Sequence, residues 1–304
     1  MPDYVIETNN LSKIYSKNKV VNSVNMHVEK GKIYGLLGKN GAGKTTTMCM
    51  LLNLTYPSSG EVYLFGESPK NSKDVYSKIG SIIETPGFYE NLTAYENLKI
   101  ISKLRGEYNP VKIKLVLEMV SLENAKSKKY KDFSLGMKQR LGIAAAIMHN
   151  PELLILDEPI NGLDPFGIKE IRTLLKRLSR EYGITILISS HILSEIENIA
   201  DVIGFMDDGV LIDEISKEDL YKRLNKFVEF EVSDIDLAVI VLKELGLREN
   251  RDFTFTDNEI RLYSNLELRD KFNALFVNSG IDVRKVNLCE ENLEDFFTRF
   301  VSNN

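Results

Sequence analysis

Gly38-Lys39-Asn40-Gly41-Ala42-Gly43-Lys44-Thr45-Thr46 is the segment of this sequence best suited to chemistry. It follows the short apolar run Ile33–Leu37 and opens a helical pattern. Backbone N–H groups reach phosphate oxygens closely only where no Cβ intrudes, and Gly38, Gly41 and Gly43 meet that need. The start of a helix adds partial positive charge. The spacing sets Lys44 against β- and γ-phosphate charge, the Thr45 hydroxyl on Mg²⁺ and Thr46 near the α-phosphate, with Asn40 in the same cradle. A ligand-free glycine-rich turn is the alternative, and the strand–loop–helix context argues against it. No Asn-Lys-x-Asp guanine reader occurs, because Asn71-Ser72-Lys73-Asp74 has the wrong order, so ATP is expected rather than GTP.

Leu153-Leu154-Ile155-Leu156-Asp157-Glu158-Pro159 is an apolar strand pattern ending in two carboxylates. A parallel strand would leave its C-terminal tip beside the phosphate loop. Asp157 would then hold Mg²⁺ through its water shell, and Glu158 would polarise an attacking water. An acidic strand-to-loop junction with no catalytic role is the bland alternative. The phosphate loop tips the balance toward catalysis.

The elements that must position these groups are legible as periodicity. Val24, Met26 and Val28 alternate toward the turn at 29–32, as a half-buried antiparallel strand does. The apolar run at 33–37 predicts a buried parallel strand, and 153–156 and 185–189 are again continuous apolar strands. Residues 62–65 and 79–83 are further strand candidates, and Asp208-Gly209 predicts a hairpin. Between 84 and 133 the pattern turns helical. Thr93 and Glu96 form a capping box, with Leu98, Ile101 and Leu104 as the apolar face behind it. A further helix from Leu135 carries Leu141, Ala144, Ala145 and Met148 on one face. Beyond about residue 220 the order is strand-helix-strand-strand-helix-strand, the split pattern of ferredoxin-like modules. Ser264 and Glu267 are expected to cap its second helix and Gly280 to stop it. A terminal helix would gather Leu293, Phe296, Phe297 and Phe300.

Composition bounds the remaining possibilities. At 304 residues the chain exceeds a single comfortable core, so a large domain plus a small one is expected. The 39 basic residues against 44 acidic ones, net −5, argue against a polyanion binder, so no nucleic-acid partner is expected. Cys49 and Cys289 read as two reduced thiols. No stretch is long and apolar enough to span a bilayer, and Met1-Pro2-Asp3 begins no secretory leader. A cytoplasmic chain is expected, with any membrane crossing left to another protein.

With these residues in place the chain resembles the ATP-binding subunits of ABC transporters over residues 4–217. Phe133-Ser134-Leu135-Gly136-Met137-Lys138-Gln139-Arg140 stands where that family carries its signature. Asn161-Gly162-Leu163-Asp164 occupies the loop after the acidic strand, and Ser189-Ser190-His191 ends the next one. The resemblance implies an α/β fold with domain 1–217 as the ATPase. That domain would hold a P-loop NTPase (RecA-like) core, an antiparallel β subdomain and a helical signature subdomain at about 85–150. Residues 218–304 would form a small accessory domain.

It further implies Tyr15 stacking on adenine and His191 bonding the γ-phosphate. A head-to-tail dimer with a second copy would let Ser134 and Gly136 complete the partner's site. Separate permease subunits would hold the chain at the inner face of the cell membrane. The signature departs from the usual pattern at Leu135 and Met137, and slower turnover is expected. Glu84 stands where the family usually has Gln, and a carboxylate accepts from metal-bound water but cannot donate as an amide does. Glu84-Thr85-Pro86-Gly87-Phe88-Tyr89 and the closing run 291–297 resemble the bacitracin- and lantibiotic-exporter subgroup. Phe88, Tyr89, Tyr95 and the helix from Thr93 lie in the insert that would meet a permease. An ABC-type ATPase acting on DNA or ribosomes, or an inactive sensor, stays open. Against the first, only 90 positions separate Lys44 from Ser134, too few for a long inserted coiled coil. A single ATPase unit argues against the translation factors.

Overall fold

The computed structural model describes residues 3–69, 74–84, 87–106, 108–125, 128–291 and 296. The chain divides into two compact units, Met1–Lys217 and Glu218–Asn304. In the first, the apolar runs become a six-stranded sheet. Its order is Val210–Ser216, Val202–Asp207, Ile33–Leu37, Thr185–Ser190, Leu153–Leu156 and Ile79–Ile82. All neighbours pair in parallel except the edge strand Val210–Ser216, which returns through the hairpin at Asp208-Gly209. Ile33–Leu37, Leu153–Leu156 and Thr185–Ser190 are buried along their whole length, as strands covered on both faces must be. Each fully buried Leu or Ile there contributes about 1.5–3 kcal/mol.

A second, antiparallel sheet sets Tyr4–Tyr15 among Asn18–Val24, His27–Glu29 and Ser59–Leu64. Val24, Met26 and Val28 are all buried, but not on one continuous strand. Ser23 has a left-handed φ of 50°, and the Asn25 amide oxygen accepts from Asn10 N–H at 2.7 Å, so the strand breaks at Asn25. Alternation carries the burial pattern across the break.

The insert holds the helices Ala94–Leu104, Pro110–Met119 and Leu135–Ile147. Thr93 and Glu96 form the expected capping box. The apolar face differs from expectation, since Ala94, Asn97, Leu98 and Ser102 are buried while Leu104 is 81% exposed. Asn97 takes the inner place because its amide clamps the preceding loop. Its Oδ1 accepts from Tyr89 N–H at 2.8 Å, and its Nδ2 donates to Tyr89 O at 3.1 Å and Thr93 O at 3.0 Å. Ile101 and Leu104 turn outward and, with Phe88 and Tyr89, line a groove of about 280 Å³.

The second unit orders its strands Phe253–Phe255, Glu259–Leu262, Lys226–Val232 and Val283–Glu290, all antiparallel. Numbered within the unit this is 2-3-1-4, the order a split βαβ pattern produces. The helices Ile235–Glu244 and Arg269–Asn278 supply Leu242, Phe272 and Phe276 to a core with Val228 and Phe230. Ser264 and Glu267 do not cap the second helix. Asn265 adopts a left-handed conformation (φ 55°), a 3-10 turn Leu266–Leu268 follows, and Ser264 Oγ is buried without a hydrogen-bond partner. Gly280, with φ 82°, does follow the helix end, and Ile281 N–H closes back on Phe276 O at 3.0 Å. Of the terminal aromatic run, Phe296 is buried, whereas Leu293, Phe297 and Phe300 lie outside the described residues. Among the described residues no helix is long and apolar enough to cross a membrane.

Candidate active site

The phosphate loop leaves the strand Ile33–Leu37 and enters the helix Lys44–Leu51. Gly43 is its N-cap at φ 101°, no side chain caps the first turn, and no acidic residue sits there. The leading N–H groups therefore face the loop without a protein acceptor, the condition an incoming anion needs. A Cβ on Gly38 would stand 2.2 Å from the Met206 carbonyl oxygen. Gly38→Ala is expected to destabilise the chain by about 1–3 kcal/mol, read as a lower urea midpoint. An unchanged midpoint would contradict so close an approach.

Lys44 is buried and folded onto its own loop, donating to Gly38 O at 2.6 Å and Lys39 O at 3.1 Å. Its Nζ also lies 3.4 Å from Glu158 Oε1. Thr45 Oγ1 donates to Asp157 Oδ2 at 2.7 Å, so the expected metal pair is in contact across the sheet. The strand Leu153–Leu156 is not adjacent to Ile33–Leu37, because Thr185–Ser190 lies between them. Its Ser189 fills the gap, donating to Asp157 Oδ1 at 2.6 Å and accepting from Glu158 N–H at 2.8 Å.

Glu158 holds a left-handed φ of 47°, uncommon for a residue with a Cβ. That turn separates its side chain from that of Asp157 and delivers Oε2 to His191 Nδ1 at 2.8 Å. An ionised carboxylate only accepts, so this contact places the imidazole proton on Nδ1. Glu84 lies two residues beyond the strand Ile79–Ile82, at φ 60° and exposed. Burial pushes the Cys49 thiol pKa up, and the Asp157 and Glu84 carboxylates add to the rise.

Asn40, Gly41, Gly43, Thr45, Thr46 and Glu158 line a cleft of about 190 Å³ that also includes Val20. Tyr15 is not among its lining residues. It is 47% exposed at the end of its strand, with Lys13 Nζ 4.9 Å from the ring centroid. Ser134 caps the helix Leu135–Ile147, its Oγ accepting from Met137 N–H at 3.3 Å. Ser134, Leu135 and Gly136 line a different groove, with Gly162 and Asp164, that contains no phosphate-loop residue. Leu135 packs toward Gly162 of its own chain, so close that a Cβ there would meet Leu135 Cδ2 at 3.4 Å. His27 pairs with Glu214 at 2.8 Å and His149 contacts Ile79 O at 3.0 Å, both plain structural placements.

Sequence reasoning passed over Ser189 and Val20 as site residues. A serine inside an apolar strand was a usable signal for the first, since a buried hydroxyl requires a partner. An apolar residue in a hairpin carries no such signal.

Mg²⁺ fits the donors present. Such a site uses one or two carboxylates with substrate phosphates rather than a protein cage. Asp157 and Thr45 match that, and no cluster of three metal-ligating side chains occurs among the described residues.

Fold and site together define a P-loop ATPase whose phosphate loop and acidic strand meet at one end of a parallel sheet. Residues 21–161 match the family described as ABC transporter. Over 98% of the chain and 97% of the relative, the sequence is 55% identical to the bacitracin transport ATP-binding protein BcrA of Enterococcus faecalis. It is 46% identical to the lantibiotic transport ATP-binding protein SrtF of Streptococcus pyogenes, over 75% of this chain and 99% of that one. A solved dimeric ATP-binding cassette in a post-hydrolysis state, bound to ADP and Pi, superposes with a TM-score of 0.62. It is 26% identical and covers 70% of this chain and 98% of its own. The chain belongs to the ATP-binding subunits of ABC transporters, and it is an ATPase.

Proposed function

We propose that the chain energises export of a bacitracin-like peptide antibiotic through a separate membrane permease. The observation that carries this reading is the 55% identity to the bacitracin-transport relative, which holds through 98% of the chain, accessory unit included. The lantibiotic relative is 46% identical over 230 residues. The groove lined by Phe88, Tyr89 and Leu104 is the surface we assign to the permease, because Tyr89 and Leu104 are exposed there beside the Phe88 ring, which packs on Tyr130.

In the mechanism we infer, ATP enters the 190 Å³ cleft and draws Lys44 off the carbonyls of Gly38 and Lys39. Mg²⁺ at Thr45 and Asp157 would offset charge between the β- and γ-phosphates. Glu158, relieved of Lys44, accepts a proton from the attacking water. His191 would meet a γ-phosphate oxygen, which only accepts, so its ring must turn its Nδ1–H away from Glu158 or take up a second proton. Glu84 is assigned to water on the metal. Tyr15 is assigned to adenine, which requires the ring to leave Lys13.

Ser134 and Gly136 belong to the second copy's site. They line a groove apart from the phosphate cleft of their own chain, and a head-to-tail partner brings the two surfaces together. In a bacitracin-sensitive host, the chain expressed with its permease is expected to raise the inhibitory bacitracin concentration at least about tenfold. The same pair with Glu158→Gln should give no protection. Equal sensitivity with and without an assembled wild-type complex would overturn the substrate assignment.

A further inference from the structure

The strand Thr185–Ser190 reads Thr-Ile-Leu-Ile-Ser-Ser and is buried at every position. Its two serines do different work. Ser190 Oγ accepts from Ile192 N–H at 3.0 Å and shapes the turn that presents His191. Ser189 is fully buried and faces the opposite carboxylates. Its one proton goes to Asp157 Oδ1 at 2.6 Å, and its lone pair takes the Glu158 N–H at 2.8 Å.

Each half of that pairing answers a need created elsewhere. Asp157 has one oxygen committed to Thr45, and a carboxylate held at one oxygen can still swing about its χ2. The bond from Ser189 fixes the second oxygen and therefore the plane. Glu158 stands in a left-handed conformation that costs an L-residue about 1–2 kcal/mol. Its amide would be turned toward the sheet with no ladder partner. Ser189 supplies the acceptor, which a main-chain carbonyl of the neighbouring strand does not do at this point.

We propose that Ser189 is a positioning residue of the ATPase site, one hydroxyl that sets the Asp157 carboxylate plane and the Glu158 main-chain turn together. Through it the metal-side acid and the water-side base share one support. The proposal rests on the assignment of Glu158 as base and Asp157 as metal partner.

The test compares Ser189→Ala, Ser189→Cys and Ser189→Thr in the full chain assembled with its permease. Cysteine fills the space without a strong hydrogen bond, whereas threonine keeps the hydroxyl. Alanine and cysteine are expected to lower kcat about 10–100-fold, the range for a misplaced reacting group, with KM for ATP changed less than about threefold. Threonine should retain at least about a third of the parent rate.

Mn²⁺ titrated by electron paramagnetic resonance, with a non-hydrolysable ATP analogue bound, should bind about tenfold more weakly to the alanine and cysteine chains. This readout needs no turnover. Parent-like kcat and Mn²⁺ affinity in the cysteine chain would overturn the proposal, as would a threonine chain as slow as a folded alanine chain. Glu158→Gln is measured alongside. If that variant turns over normally the base assignment fails by itself, and if it is slow while Ser189→Cys is not, only the role of Ser189 fails.

Discussion

Glu158→Gln is expected to lower kcat for ATP hydrolysis at least about 100-fold while leaving ATP binding within about threefold of the parent. A positioned general base contributes roughly 10²–10⁴ in rate, and the amide keeps the shape of the side chain while losing its basicity. The contacts support a specific effect. His191 Nδ1–H still finds an amide oxygen at the place of Oε2, so the loop geometry survives. Lys44 loses the carboxylate 3.4 Å away and becomes freer to meet phosphate, which works against any loss of affinity. Release of inorganic phosphate and equilibrium binding of a fluorescent ATP analogue measure the two quantities. A variant within about threefold of the parent kcat would remove Glu158 from the reaction.

The second large effect belongs to Lys44. Its ammonium donates to two loop carbonyls, Gly38 O and Lys39 O, so it is held beside the cradle. Binding exchanges these carbonyl bonds for phosphate ones, so the gain is the added charge–charge attraction, about 4 kcal/mol for a pair about 4 Å apart near a protein surface. That supports an affinity difference of about 100-fold or more. Lys44→Ala should weaken ATP binding by at least that factor, measured by the same analogue. It should also loosen the loop, because Gly38 O and Lys39 O lose their buried donor. Unchanged affinity in a folded Lys44→Ala chain would mean that the cradle does not bind the triphosphate end.

These effects show what could be read from the sequence and what could not. The phosphate loop was legible because strand, glycines and lysine are contiguous, and backbone geometry follows from their types alone. Asp157 and Glu158 were legible as a pair, but how they part was not. Nothing in the sequence around Glu158 announces a left-handed φ of 47°, and the Ser189 hydroxyl that supports it comes from a strand 31 positions away. Strand order decided that contact, and order within a parallel sheet depends on crossovers that local periodicity does not encode.

The helix Ala94–Leu104 misled in a different way. Its apolar spacing is real, but Asn97 is drawn inward to clamp the loop, and Leu104 is turned out to the groove it shares with Phe88 and Tyr89. In the accessory unit, the period and the turn signals were enough for element order. The cap was not, since Asn265 takes the left-handed position that ends one element and starts the next.

We propose that the phosphate cleft and the Ser134–Gly136 groove, separate surfaces in one chain, form a single site between two. Sedimentation of the Glu158→Gln chain tests it most directly, because bound ATP is then not consumed. With saturating ATP and Mg²⁺ a shift is expected from the monomer mass of 34.6 kDa to twice that value. The shift should be reversed by ADP and abolished by adding Ser134→Arg, which places a bulky side chain at the seam. A Glu158→Gln chain that binds ATP fully and stays at 34.6 kDa would contradict it.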